Sequence, residues 1–145
     1  MAISSGIAVK FKEDSLKGLH DFTSAEFKIA LYTSVASLSN GTSVYITSGQ
    51  VANGNGYATG GKVVTVTSVT VDGTVGIVNF NNVSWTSATF TARGCLIYNA
   101  TKSNKTVAVI DFGADKTATN GTFTVQMPSS GASTYDWTFD VLGVA

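Results

Sequence analysis

The chain has 145 residues, no formal net charge and only 12% charged residues, whereas an average soluble domain carries about 25%. The length suits one domain with an ordinary core. Neutrality without a basic run excludes non-specific nucleic-acid binding, which draws its energy from phosphate neutralisation by Lys and Arg.

The charges are unevenly spread. Lys10, Lys12, Glu13, Asp14, Lys17, Asp21, Glu26 and Lys28 crowd one short stretch, and no charge follows until Lys62. The cluster also carries Phe11, Leu16, Leu19 and Phe22, so residues 1–24 read as an amphipathic arm and 25–145 as a nearly uncharged β domain. Met1–Val9 lacks the basic and apolar regions of a signal peptide. No segment approaches the roughly 18 apolar residues of a membrane span, so synthesis and assembly in a cytoplasm, with no membrane partner, are expected.

Residues 12–22 form the one helix pattern, with Asp14 or Ser15 as cap, a stripe of Leu16, Leu19 and Phe22, and Gly18 as a weak point. From Phe27 the period becomes two: Phe27, Ile29 and Leu31 alternate with Lys28, Ala30 and Tyr32 in a half-buried strand. A short strand is expected at Thr42–Thr47. Lys62–Val71 and Thr74–Phe80 are joined by Asp72-Gly73, the strongest hairpin signal in the chain.

Ala88–Tyr98 places Phe90, Ala92, Leu96 and Tyr98 on one face, and Lys105–Phe112 follows. Asn120-Gly121 then leads into Phe123, Val125 and Met127. In Thr134–Leu142, Tyr135, Trp137, Phe139 and Val141 alternate with polar residues. The fold class is therefore all-β: an antiparallel β-sandwich of about eight strands, jelly-roll-like, with a short N-terminal helical arm. An immunoglobulin-like or open-barrel strand order fits the same periodicity.

A hairpin of Ala88–Tyr98 and Lys105–Phe112 centred on Lys102 sets Leu96 opposite Ala108, Gly94 opposite Ile110, and Arg93 opposite Asp111 as a cross-strand ion pair. Five Asn-x-Ser/Thr sequons, at Asn40, Asn82, Asn99, Asn104 and Asn120, read as turn chemistry.

Chemistry is sparse. Cys95, the single cysteine, excludes an internal disulfide and reads as a buried filler. His20, the single histidine, lies beside Asp21 without a Gly-x-Ser-x-Gly elbow and reads as solvated or interfacial. Gly54–Gly61 has the wrong spacing for a dinucleotide loop and precedes a β-branched run, so a flexible surface loop is expected. Asp111-Phe112-Gly113 lacks every other kinase motif. Asp111, Asp115 and Asn120 offer calcium-type oxygens but no EF-hand spacing, and Lys116 opposes a cation there. Trp85, Trp137 and the tyrosines could stack on sugars; Trp137 reads as core, and Trp85, in a turn after Asn81-Asn82, as the more exposed candidate. No catalytic, metal or cofactor residue is assigned, and no enzyme activity is expected.

The phrases LKGLHDF, FKIALYTS, GYATGG, TFTARGCLIYN and DFGADKTATNGTFTVQMP resemble a group of small virion proteins of tailed double-stranded-DNA bacteriophages, over about Leu16–Pro128. The resemblance implies a capsid cement or decoration protein on the outer capsid surface that bridges major capsid subunits, as a homo-oligomer with a trimer as first expectation. It implies no cofactor and no reaction. Lys10, Phe11, Lys12, Leu16, Lys17, Leu19, His20 and Phe22 are then the candidate partner interface, the alternative being an arm packed on its own sandwich. The rival function is a receptor- or carbohydrate-binding module of a tail or fibre.

Overall fold

The structure, a computed structural model, describes residues 2–127. The strand expected at Thr134–Leu142, with Trp137, lies outside them, as does Pro128.

The fold is an all-β antiparallel sandwich with a small N-terminal helix. In chain order the elements are β1 (Gly6–Ile7), α1 (Val9–Leu16), β2 (Phe27–Tyr32), β3 (Lys62–Val64), β4 (Val66–Asp72), β5 (Val75–Phe80), β6 (Val83–Asn99) and β7 (Lys105–Val125). One sheet has the order β1-β7-β6-β2-β3, and β4 and β5 form a second, two-stranded sheet.

The helix starts and ends earlier than its sequence pattern suggests. Its first amides are satisfied by tertiary backbone bonds, Ala8 N to Val107 O at 2.9 Å and Val9 N to Asn40 O at 2.8 Å, instead of a side-chain cap. Asp14 and Ser15 fall in its last turns. Gly18, at φ 74°, terminates it, with Gly18 N donating to Ser15 O and Leu19 N to Asp14 O, both at 3.0 Å; this is the Schellman arrangement, which requires a left-handed residue.

β2 is buried on both faces rather than one. Phe27, Ile29 and Leu31 enter a large cluster with Ala8, Phe11, Phe80, Trp85, Cys95 and Phe123. Ala30 and Tyr32 enter a smaller one on the other face with Ile3, Leu38, Leu96, Tyr98 and Val109. The face expected of β6 splits accordingly: Ala92 joins the large cluster, with Phe90 packed against it, whereas Leu96 and Tyr98 join the small one. The switch coincides with a register shift between Ala92 and Gly94.

Other boundaries also move. Thr42–Thr47 supplies only an isolated bridge, Val44 to Lys105. Lys62–Val71 divides into β3 and β4, which join different sheets, while the Asp72-Gly73 hairpin forms, with Asp72 paired to Val75. Asn120-Gly121 does not separate two strands. Asn120, at φ 47°, lies within β7, and Gly121 pairs with Ala88, so the turn-forming residues make a bulge.

The β6–β7 hairpin begins as expected, Asn99 opposite Lys105 and Tyr98 opposite Thr106, then slips by one residue at Val107. Leu96 consequently faces Val109, not Ala108, and Gly94 faces Asp111, not Ile110.

The glycine-rich loop is anchored, contrary to the flexible reading. Tyr57 is buried, its Oη accepting from Leu31 N at 3.0 Å and donating to Gln50 Oε1 at 2.7 Å. These contacts continue β2's edge beyond Ile29, where its pairing with β3 stops. Gly61 presses on the same strand, where a Cβ at its φ of 80° would lie 1.8 Å from Ile29 O.

Candidate functional site

The arm divides into a buried side and an outer side. Phe11 is 1% exposed within the large cluster. Phe22 packs against it, stacked on Phe27 at 4.5 Å between ring centroids. Leu19 is half-buried. The expected stripe of Leu16, Leu19 and Phe22 does not form, because the helix ends before Leu19 and Leu16 points outward, 68% exposed.

Of the arm's lysines, Lys10 pairs with Glu13 at 2.9 Å and Asp14 at 3.3 Å, and Lys17 pairs with Glu13. Those two ammonium groups, Lys17's first, hold the Glu13 carboxyl at about 2. Lys12 is exposed and has no ion-pair partner among the described residues. Val9, Lys12 and Leu16, spaced i, i+3 and i+7, share the outer helix face, with Val9 58% exposed.

His20 is a correction. Its side chain is fully covered, neither solvated nor at an open surface. Nδ1 lies 3.1 Å from Asn99 Nδ2, and Nε2 lies 4.0 Å from Asp14 Oδ2. Asp14 is itself buried, and Lys105 Nζ stands 3.8 Å from the same Oδ2. Asp14 Oδ2 and His20 Nε2 have no hydrogen-bond partner among the described residues. Sequence reading gives Asp14 only as a possible cap and misses its burial beside His20; the available signal is its i+3 spacing from Phe11, which places both on the helix face turned to the core.

Trp85 is a second correction. It is 1% exposed, packed with Tyr57 and Phe123, and offers no stacking surface for a sugar. Cys95 is fully buried, and that burial pushes its thiol pKa far up. Arg93 Nε donates to Asp111 Oδ1 at 3.1 Å, and its guanidinium lies 3.9 Å from Asp115. Asp111 Oδ1 also accepts from Gly113 N at 2.9 Å, and Asn120 Oδ1 accepts from Thr89. Asp111 and Asp115 thus share Arg93 while Asn120 bonds to Thr89, and no group of three or more His, Cys, Asp or Glu suited to a metal ion occurs among the described residues. No helix of the described residues is long and apolar enough to cross a membrane.

Comparison with protein-family models, with curated proteins and with solved structures finds no match to this chain.

Proposed function

We propose that this chain is a non-enzymatic structural protein of a tailed-phage virion, a cement or decoration protein that bridges major capsid subunits on the outer capsid surface. The observation that carries the reading is the outer face of α1, where Val9 and Leu16, 58% and 68% exposed, flank Lys12. A small apolar ridge around one cation suits a partner surface with an acidic rim. Exposed Val69 and Val71, on the β4–β5 hairpin, supply more apolar area on a chain of only 12% charge. Each 100 Å² of apolar surface covered is worth about 2.5 kcal/mol, and many copies on one shell multiply it. The resemblance of its phrases to small phage virion proteins supports the same reading, which carries with it a homo-oligomer, a trimer first.

Phe11, His20 and Phe22 serve the chain's own core, so partner contact falls to Val9, Lys12 and Leu16, with Lys10 and Lys17 at their flanks. The sugar-binding alternative loses Trp85, its best aromatic, and no other observation favours it.

The test is the copy number of this chain in purified particles, by quantitative mass spectrometry against the major capsid protein. A ratio within a few-fold of one to one supports a shell component. A handful of copies per particle moves the protein to the tail, and absence from particles overturns the virion reading.

A further inference from the structure

We propose that His20 is an acid-released latch between the N-terminal arm and the sandwich: uptake of a proton by its ring breaks the contact with Asn99 and undocks α1 through Phe22.

The argument begins with Asn99, at the end of β6. Its Oδ1 accepts from Thr101 N at 3.1 Å and Lys102 N at 3.2 Å, the amides of the turn that leads into β7. That bonding fixes the orientation of the amide, so the group presented to His20 is Nδ2, a donor. His20 Nδ1, 3.1 Å away, must then accept. A ring that accepts at Nδ1 is neutral and carries its proton on Nε2, toward Asp14.

A second proton has only Nδ1 to occupy, where it meets the Asn99 amide donor head-on. Two exits remain. Turning the amide brings Nδ2 against the Thr101 and Lys102 amides and opens the turn, while moving the ring pulls the arm off the sheet, because Phe11 packs on that ring at 4.7 Å between centroids. Either way one proton disturbs both the arm and the β6–β7 turn.

The surrounding charges do not rescue the imidazolium. Asp14 on α1 attracts it, but across 4.0 Å, beyond hydrogen-bond reach. That carboxylate already faces Lys10 of α1 at 3.3 Å and Lys105 of β7 at 3.8 Å. Burial is the largest influence and pushes the ring's pKa below its ordinary 6.5; Asp14 raises it and Lys105 lowers it again. The released arm therefore binds the proton more tightly. Docking is fully favoured above 6.5 and weakens as pH falls from there through the lower folded value.

The experiment uses the full chain with any affinity tag removed, since His20 is then the only histidine. Nitrogen-resolved NMR of the imidazole at pH 8 is expected to show the neutral ring protonated on Nε2. On acidification, exchange of the α1, Thr101 and Lys102 amides, corrected for intrinsic rates, rises below about pH 6.5 and levels off once the docked imidazole is protonated, about ten-fold in all for each unit separating the docked and released pKa. Amides of β2 stay protected through that rise. In Asn99→Asp an acceptor faces Nδ1, and the acid response shrinks or reverses. A proton on Nδ1 at pH 8, protonation without faster arm exchange, or loss of arm and β2 protection together overturns the latch. Where the variant does not fold, the titration of the unaltered chain decides.

Discussion

Arg93 reaches Asp111 at 3.1 Å from a position that has no partner in the strand ladder. β6 pairs Gly94 with Asp111 and Ala92 with Lys116, so Arg93 alone stands opposite Phe112–Asp115. The side chain, not the backbone, closes that gap. A double-mutant cycle of Arg93→Gln and Asp111→Asn, read by denaturant unfolding, is expected to give a coupling of about 0.2–1 kcal/mol, weakened by salt, because the pair is partly open to water. The Gly113 amide, helped by Arg93, lowers the Asp111 carboxyl from its ordinary 3.8. The coupling is therefore present above 3.8 and lost as pH falls through the lower folded value. A coupling independent of pH down to full protonation contradicts the assignment.

Gly61→Ala is expected to cost at least about 3 kcal/mol or to prevent folding, since strain at positive φ adds to a clash with backbone. Gly18→Ala, at φ 74° with nothing within 4 Å, isolates the conformational cost alone, about 1–2 kcal/mol. Equal midpoint shifts in urea for the two variants would show that the approach to Ile29 does not govern the loop.

Trp85 makes no hydrogen bond through Nε1 among the described residues. Trp85→Phe should therefore cost less than Trp85→Ala, for which about 3–5 kcal/mol is expected from the cavity. Calorimetry orders the two. A Phe variant as damaging as Ala reveals a polar role for the indole.

Cys95 sits in the large cluster with its thiolate disfavoured by burial. A thiol reagent at pH 8 should leave the native chain unlabelled and modify it at the rate of unfolding. Prompt labelling under native conditions means β6 opens at Cys95 without global unfolding.

Leu16→Glu changes an exposed position and should alter stability by no more than about 0.5 kcal/mol while reducing attachment to particles stripped of this chain. Truncation of residues 1–22 is a poorer test, because it also removes Phe11 from the core. Full attachment by a folded Leu16→Glu chain takes the outer face of α1 out of the interface.

Where local chemistry decided the structure, the sequence was readable. The strand at Phe27–Tyr32, the Asp72-Gly73 turn and the burial of Cys95 follow from residue type and short spacing, whereas Arg93 meets Asp111 although the register expected for them slips. It was opaque where a distant strand decided. The start of α1 depends on carbonyls of Val107 and Asn40, and the slip at Val107 moves every pair beyond it. Asn120-Gly121 has turn chemistry that a long, already paired strand absorbs as a bulge. The same holds for the candidate site. Lys10 to Phe22 read as one candidate interface, and no local pattern separates the outward Leu16 from the buried Phe11 or connects His20 with Asn99.

The pairing of β1 with β7, Gly6 with Val109 and Ile7 with Ala108, fixes an order of events during synthesis. β1 leaves the ribosome well before β7, so it must wait, unsheltered by that strand, until β7 has been made, and a segment born early is seated late.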